Sequence, residues 1–527
     1  MKKYCGYSEF FHDAGIAFVM ENGDIDFAAH SERYSRMKND PRMHPKLYEM
    51  MDTADHVTYY EDYYIRNSTE WHKEYKGGLY NYMSMKNQQH YDALVHDTYI
   101  PHHVSHAANG FYTRPWDDYE DTLILSVDGA GEVQSMVIFN HKFEILDEWE
   151  IPRSLGYMYS TATRQLGFRH MEDEYVVMGL SAMGEPVMGR QLYDWFYNVD
   201  VNTLEAWKNG TYTKYEDVLK YVEKKSNRED FAASVQWVTE QVFFDLALKC
   251  KKLGAKKLIV TGGCAQNIVA MSKIRPLFED MHIPVAPTDA GSALGAAAYS
   301  WAHETGNETG RLNWVSPYLG HDMSVKLNPK TIAKYLVDKK ICGVANGKAE
   351  FGPRALGNRS LLADVRTNVK KTVNQIKRRQ EFRPFAPAIL SEYADQYFDG
   401  YMGEYMQYTC KAKHDYKSVI HVDGTSRVQL VKPDCKSIIR QILEEYYEMT
   451  GVPMLLNTSL NIRHRPITNT HTHATEFQKK YNVRVFHNLH RPGIHPSAWN
   501  ADVSKDRQDF IDPENHKHVI LANYEED

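Results

Sequence analysis

The 527-residue chain contains six cysteines (5, 250, 264, 342, 410 and 435), and no two form a CxxC pair. That spacing excludes a disulfide scaffold and a cysteine zinc site, and it predicts reduced thiols of a cytosolic protein. No run of about 18 apolar residues occurs, so no transmembrane helix is expected. The opening Met1-Lys2-Lys3-Tyr4-Cys5-Gly6 lacks the apolar stretch of a secretory signal. An excess of positive charge is missing too: 62 basic side chains face 69 acidic ones, a net −7. Nucleic acid is therefore not indicated by net charge, although a local basic groove stays possible. Short tandem repeats and low-complexity linkers are absent. Hydrophobic residues make up 43 % and charged residues 25 %, which excludes wholesale disorder. The length calls for roughly two to four structural units.

The pattern of elements is α/β. A strand is expected over 15–20, returning over 25–29 through the turn Glu21-Asn22-Gly23-Asp24. Residues 46–100 read as short helices and loops. A strand over 122–127 ends in Asp128-Gly129, and 136–139 with 144–146 suggests a hairpin. Apolar residues Phe231, Val235, Val238, Val242, Leu246 and Leu253 have helical spacing. A short buried strand over 257–260 follows, closed by Thr261-Gly262-Gly263. A second unit ends in Thr288-Asp289-Ala290-Gly291, before a helix over 292–302. Pro317, Gly320 and Pro329 punctuate a composition shift, after which a helix over 331–338 and a strand over 341–345 open a new unit.

In the first half, His102-His103-Val104-Ser105-His106 is the sharpest metal signal. If helical, it sets His102 and His106 on one face, and His103 nearly shares a face with His106. A polar helix end with capping histidines would read the same. Asp128 and Asp289 each sit in a loop expected directly after a strand, where open α/β sheets present ligand-binding groups. Two imidazoles and two carboxylates suit iron, manganese or zinc; an aspartate beside glycine is otherwise a turn residue. Gly262, Gly263 and Asn267 lie in a strand-to-helix turn that can admit a phosphate, although a plain tight turn uses the same letters. His12 beside Asp13 is a candidate base for a hydroxyl. Arg33, Arg36 and Lys38 read as an anion-facing loop or a solvated surface.

In the second half, Arg354 and Arg359 sit among glycines in Phe351-Gly352-Pro353-Arg354-Ala355-Leu356-Gly357-Asn358-Arg359-Ser360. Lys377, Arg379 and Arg383 follow, interleaved with Phe382, Pro384 and Phe385, and Arg427 lies beyond His421-Val422-Asp423-Gly424. Several guanidinium groups in a shaped groove suit bidentate phosphate recognition. A buried strand at 453–456 runs into the hydroxyl and amide loop Asn457-Thr458-Ser459-Leu460-Asn461. Together these supply charge and directional hydrogen bonds for a nucleoside polyphosphate.

Taken in order over residues 1–470, these motifs resemble the O-carbamoyltransferases of nodulation-factor, cephamycin and tobramycin biosynthesis. The match also includes Glu32-Arg33, Glu174-Tyr175-Val176-Val177-Met178-Gly179-Leu180 and Arg383-Pro384-Phe385-Ala386-Pro387. The resemblance implies an actin-like ATPase-fold carbamoyl-transfer domain over 1–325, with a duplicated βα plan. It implies a twisted α/β carbamoyladenylate-forming domain over 326–527, with a divergent tail from about 470. It places a metal, Fe2+ by analogy with the tobramycin enzyme, on His102, His106, Asp128 and Asp289. A Lys-x-Arg and Ser-x-Asn signature falls on Lys377, Arg379, Ser459 and Asn461.

The implied chemistry uses carbamoyl phosphate and ATP, with Mg2+ accompanying the nucleotide, to make carbamoyladenylate. The carbamoyl group then passes to an acceptor hydroxyl on a sugar, a natural product or a hydroxymethylated nucleotide or DNA base. In this reading Arg354, Arg359, Lys377, Arg379 and Arg427 neutralise phosphate, Ser459 and Asn461 orient the adenylate, and His12 is the base. A tRNA threonylcarbamoyl-type transferase and a non-catalytic nucleotide-binding regulator are the alternatives, and a homodimer is left open. One segment departs from the pattern. Where the family carries Gly-Glu-Pro-Ile, this chain has Ile462-Arg463-His464-Arg465-Pro466-Ile467. The added positive charge points to a phosphorylated or polymeric acceptor.

Overall fold

The computed structural model describes residues 1–62, 96–151, 153–198 and 211–487. Expectations for 63–95 and for the tail beyond 487 lie outside the described residues.

Two five-stranded sheets form the first half. The first contains β1 (Lys3–Ser8), β2 (Gly15–Met20), β3 (Ile25–His30), β4 (His56–Tyr59) and β5 (Thr98–Tyr99), in the order β3-β2-β1-β4-β5. β1, β2 and β3 pair antiparallel, while β4 and β5 add in parallel. The second contains β6 (Thr122–Val127), β7 (Gln134–Phe139), β8 (Ile145–Glu150), β9 (Lys257–Thr261) and β10 (Asp280–His282), in the order β10-β9-β6-β7-β8. Its strand senses repeat those of the first sheet. The same five-strand plan thus occurs twice, which is the duplicated α/β arrangement of an actin-like fold.

The helices of this half include α1 (His102–Tyr112), α2 (Leu155–Gln165), α3 (Glu174–Leu180), α4 (Arg228–Lys252) and α5 (Asp289–Thr305). α4 packs Phe231, Val235, Val238, Val242 and Leu246 into the second sheet's core, as the helical spacing predicts. α1 and α5 lie against each other and share a core with Tyr4, Ala17 and Ile259. Their approach depends on Gly295, where a methyl group would stand 1.8 Å from the Ser105 carbonyl oxygen. That contact brings the first turns of the two helices together, which positions the site.

A six-stranded mixed sheet organises the second half. It contains β11 (Ile341–Ala345), β12 (Arg359–Ala363), β13 (Ala386–Leu390), β14 (Gln429–Val431), β15 (Met454–Ser459) and β16 (Val485–Phe486), in the order β14-β13-β15-β12-β11-β16. Helices Pro329–Lys339 and Ile439–Thr450 pack together beside it, with Ile332, Leu336, Ile442 and Leu443 in the core. Helix α6 (Lys370–Lys377) ends at the lysine of the sequence signature. Beyond 470, helix His471–Tyr481 leads into the edge strand β16, so this part of the tail completes the sheet.

Three expectations are corrected. The strand over 15–20 is the second one, since β1 precedes it. The segment KYCGYS has no regular alternation because five of its six residues are buried. Asp289 does not directly follow a strand: β10 stops at His282, and Asp289 is the first residue of α5. That helix begins three residues before the expected start because Thr288, in extended backbone, takes its N-cap position.

Candidate active site

The metal candidates converge. Placing His102 and His106 on α1, Asp128 just after β6 and Asp289 at the head of α5 gathers four ligand atoms within 4.8 Å of one another. His106 Nε2 lies 2.8 Å from Asp128 Oδ2 and 3.3 Å from Asp289 Oδ1, and 3.2 Å from His102 Nε2. All four residues are buried. Burial lowers the basicity of His106, but the two facing carboxylates outweigh it and push its pKa up to about 9. Burial alone would raise Asp128, but His102 and His106 hold it well below the usual carboxylate range.

The fit to a cation rests on unsatisfied atoms. Both carboxylate oxygens of Asp289, Oδ2 of Asp128 and Nδ1 of His102 are buried without a hydrogen bond of good geometry. The close Asp128–His106 approach is an ion-pair distance, not an aligned hydrogen bond. Buried carboxylate oxygens left open at that spacing suit a divalent ion. Ser292 Oγ, 3.0 Å from His106 Nδ1, fixes the ring that presents Nε2 inward. Glu132 Oε1 accepts from the His102 backbone N–H at 2.7 Å and caps the start of α1. His103 is not part of the cluster. Its Nε2 donates to the Gln134 carbonyl and its Nδ1 accepts from Ser126 Oγ, and burial drives its pKa down to about 3.

The basic residues of the second half converge as well. Lys377 Nζ donates to the Ser459 carbonyl at 2.5 Å, to Ser459 Oγ at 3.0 Å and to Asn461 Oδ1 at 2.6 Å. The Arg379 guanidinium stacks on Phe385, bonds Asn374 Oδ1 and donates to the Pro384 carbonyl. Among the described residues, no carboxylate pairs with Lys377, Arg354, Arg379 or Arg427. Burial, reinforced by neighbouring arginines, holds Lys377, Arg379 and Arg427 well below their ordinary pKa values. Arg354 is pushed down to about 10, again chiefly by burial. Four cations gathered without a counter-charge form a site for an anion carrying several charges.

One cavity of about 860 Å³ is lined by both groups: His12, Asp13, Asp128 and Asp289 at the metal cluster, and Arg354, Lys377, Arg379, Arg427, Ser459 and Asn461. Gly263 and Asn267 also line it. Asn267 is largely occupied, because Oδ1 accepts from the Ala270 N–H and the amide exchanges two hydrogen bonds with Gln236.

Several sequence candidates have other work. Arg359 does not reach the cavity. It is fully buried and donates to the carbonyls of His321, Asn346, Gly347, Asn358 and Asn469. Gly262 serves a close approach: at φ +85°, a methyl there would stand 2.2 Å from the Val127 carbonyl oxygen. Arg33 and Arg36 bind the carbonyls of Gly352, Pro466 and Ile467, so of the supposed anion loop only Lys38 lines the cavity, paired with Glu32. Arg463 and His464 are paired with Asp173 and Glu172, which neutralises two of the three basic groups read as a phosphate signal; Arg465 lines the cavity without an ion pair among the described residues.

His12 and Asp13 do not form a pair. Nε2 of His12 faces Asp289 Oδ2 at 3.6 Å. Asp13 instead bonds His30 Nδ1 at 3.1 Å and accepts from Thr288 Oγ1 at 2.7 Å. His30 Nε2 in turn accepts from the Gly352 N–H at 3.0 Å. The chain Thr288–Asp13–His30–Gly352 therefore links the residue beside Asp289 to the loop carrying Arg354. Sequence reasoning gave His30 and Thr288 no role: His30 is the last residue of β3 outside any noted motif, and Thr288 reads only as the residue leading into Asp289. It also gave no role to Tyr175, whose ring lies 4.4 Å from the Arg383 guanidinium.

The chain matches two sequence-family models, described as Carbamoyltransferase N-terminus over residues 64–298 and Carbamoyltransferase C-terminus over 333–488. The second reaches past residue 470, where the motif resemblance stops. Nodulation protein NolO of Bradyrhizobium diazoefficiens is 30 % identical over 69 % of this chain and 73 % of its own length. Nodulation protein NolNO of Sinorhizobium fredii is 31 % identical over 71 % of this chain, and the chain spans 60 % of that relative's length. Nodulation protein U of the same organism is 34 % identical over 45 % of this chain and 46 % of its own. Among solved structures, the activator of 2-hydroxyisocaproyl-CoA dehydratase from Clostridium difficile with bound ADPNP aligns at TM-score 0.34 and 15 % identity. It covers 58 % of this chain and 96 % of its own.

Proposed function

The chain belongs to the carbamoyltransferase family, and from that premise we propose an ATP-dependent O-carbamoyltransferase that activates and transfers its carbamoyl group within one cavity. The observation that carries the reading is the shared lining: an uncompensated cation group and the two aspartates of the His/Asp cluster, Asp128 and Asp289, face the same 860 Å³ space.

Activation belongs to the second half. Water cleaves carbamoyl phosphate to carbamate and phosphate. A carbamate oxygen then attacks the α-phosphorus of ATP, and pyrophosphate leaves with the electrons of the broken P–O bond. Arg354, Arg379 and Arg427 hold the phosphate oxygens, with Mg2+ accompanying ATP. Lys377, held by Ser459 and Asn461, sets its ammonium against the α-phosphate, where negative charge builds as the new bond forms.

Transfer belongs to the first half. The acceptor hydroxyl attacks the carbamoyl carbon, AMP leaves, and His12 takes the hydroxyl proton. A divalent cation, Fe2+ by analogy, would be held by His102, His106, Asp128 and Asp289 and would supply Lewis-acid stabilisation of oxygen charge. The mixed anhydride is far more electrophilic than a carbamate ester and hydrolyses readily, so a single enclosing cavity favours transfer over loss to water. The acceptor bears a hydroxyl; with Arg463 and His464 paired, Arg465 is the one basic side chain of that loop left to meet a phosphorylated acceptor at the cavity.

The test incubates the metal-loaded protein with carbamoyl phosphate, ATP and labelled pyrophosphate. Label entering ATP only with carbamoyl phosphate is expected. No exchange would favour the non-catalytic regulator.

A further inference from the structure

Two ion pairs join the halves of the molecule along the cavity. Arg463, in the loop after β15, places Nη2 2.9 Å from Asp173 Oδ2, and Asp173 is completely buried at the start of α3. Beside it, His464 Nδ1 lies 2.7 Å from Glu172 Oε1. Arg463, His464 and Glu172 line the cavity wall.

Each side of this contact is tied to a reacting region. On one side, Asn461 Oδ1 accepts from Lys377 Nζ, and the Arg463 backbone N–H donates to the Lys377 carbonyl at 2.9 Å. His464 takes a left-handed backbone conformation, φ +58°, in the turn where Arg463 and His464 meet their carboxylates. On the other side, Asp173 Oδ1 accepts from Tyr175 OH at 3.3 Å, and Glu174 accepts from Ser160 Oγ on α2 at 2.6 Å. The path from Lys377 to α3 therefore runs through Asn461, Arg463 and Asp173. Asp173 Oδ2 also accepts from the Arg169 backbone N–H at 3.3 Å, but a fully buried carboxylate that lost the Arg463 guanidinium would keep an uncompensated charge, which favours the closed contact.

We infer that the Asp173–Arg463 and Glu172–His464 pairs form a latch that closes the activation loop onto α3 and keeps the activated carbamoyl group from water. The inference rests on the activation reading above. Opening the latch lets water attack the carbamoyl carbon of the adenylate, releasing carbamate and AMP, with no change in how the adenylate forms. Asp173 and Arg463 are positioning residues: their side chains hold the loop after β15 against α3 and touch no reacting atom, while the Arg463 backbone bond to Lys377 does not depend on either side chain.

The test uses full-length protein and Asp173→Asn, Arg463→Met and Glu172→Gln variants, without acceptor. Carbamoyl-phosphate-dependent AMP release is compared with pyrophosphate–ATP exchange. Arg463→Met and Asp173→Asn are expected to raise the ratio of AMP release to exchange by about tenfold or more, with exchange near wild type. Glu172→Gln, which leaves the buried pair intact, should give a smaller rise and serves as the folding control. An unchanged ratio, or loss of exchange with the ratio, overturns the latch.

A second readout needs no reaction. Hydrogen–deuterium exchange should rise together over residues 171–180 and 461–467 in both Asp173→Asn and Arg463→Met, and a rise confined to the mutated segment overturns the latch. If the wild type shows no pyrophosphate exchange, the activation reading fails, while the deuterium result still decides whether the two segments close as a unit.

Discussion

Lys377 Nζ and Asn461 Oδ1 lie 2.6 Å apart, which ties the last residue of helix α6 to the loop that leaves strand β15. The contact aims a buried ammonium into the cavity, and the loop that makes it also reaches the first half of the molecule. Asn461→Ala removes one of three acceptors for this lysine and leaves its charge in place. Pyrophosphate exchange should slow by about 10- to 100-fold with little change in KM for ATP, since positioning is lost more than binding. Steady-state exchange kinetics check this, and an unchanged rate contradicts the role.

His12 faces Asp289, not its sequence neighbour Asp13, so Asp13→Asn and His12→Ala separate. His12→Ala should leave pyrophosphate exchange intact and reduce product formation by about 100-fold or more. The product is read as a mass gain of one carbamoyl group in source-cell extract supplied with enzyme, ATP and carbamoyl phosphate. Transfer that survives His12→Ala removes the base assignment.

The four-residue cluster makes a direct analytical prediction. Purified protein should carry about one divalent metal per chain, and His106→Ala or Asp128→Asn should lower it to about a tenth or less by elemental analysis. Ser292→Ala should weaken retention by about 10- to 100-fold against a chelator, because the His106 ring loses its orienting contact. Equal metal content in wild type and His106→Ala contradicts the site.

The pH dependence of stability has one clear contributor. Asp364 is fully buried and bonds Lys340, Arg366 and Tyr446. Burial alone would raise it, but these three partners bring its pKa down to about 2. A lowered folded-state pKa adds stability above the unfolded value near 4, and that stability is lost as pH falls from 4 through 2. The contribution is about 2 kcal/mol or less, since Lys340 and Arg366 are each about a third exposed. Urea unfolding at pH 7 and pH 3 should differ less in Asp364→Asn than in wild type.

The chemistry was more legible in the sequence than its assembly. The i, i+4 spacing of His102 and His106 places both on one helical face, and Asp128 follows a plain apolar strand. Helix α4 follows its apolar period because one side faces a core. Strand β1 was hidden, since a segment buried on both faces loses the alternation that marks a strand. Arginines misled most. Arg359, Arg36 and Arg463 carry the same charge as Arg354, but the first two satisfy backbone carbonyls and the third a buried aspartate. Which partner a guanidinium meets depends on contacts hundreds of residues apart, which local spacing does not encode.

The central claim is that this cavity makes an activated carbamoyl group from ATP. Carbamoyl-phosphate-dependent exchange of labelled pyrophosphate into ATP measures it most directly. Label should enter ATP with wild-type protein, require carbamoyl phosphate, and disappear in Lys377→Met. Exchange that is absent from metal-loaded protein, or that persists in Lys377→Met, would contradict it.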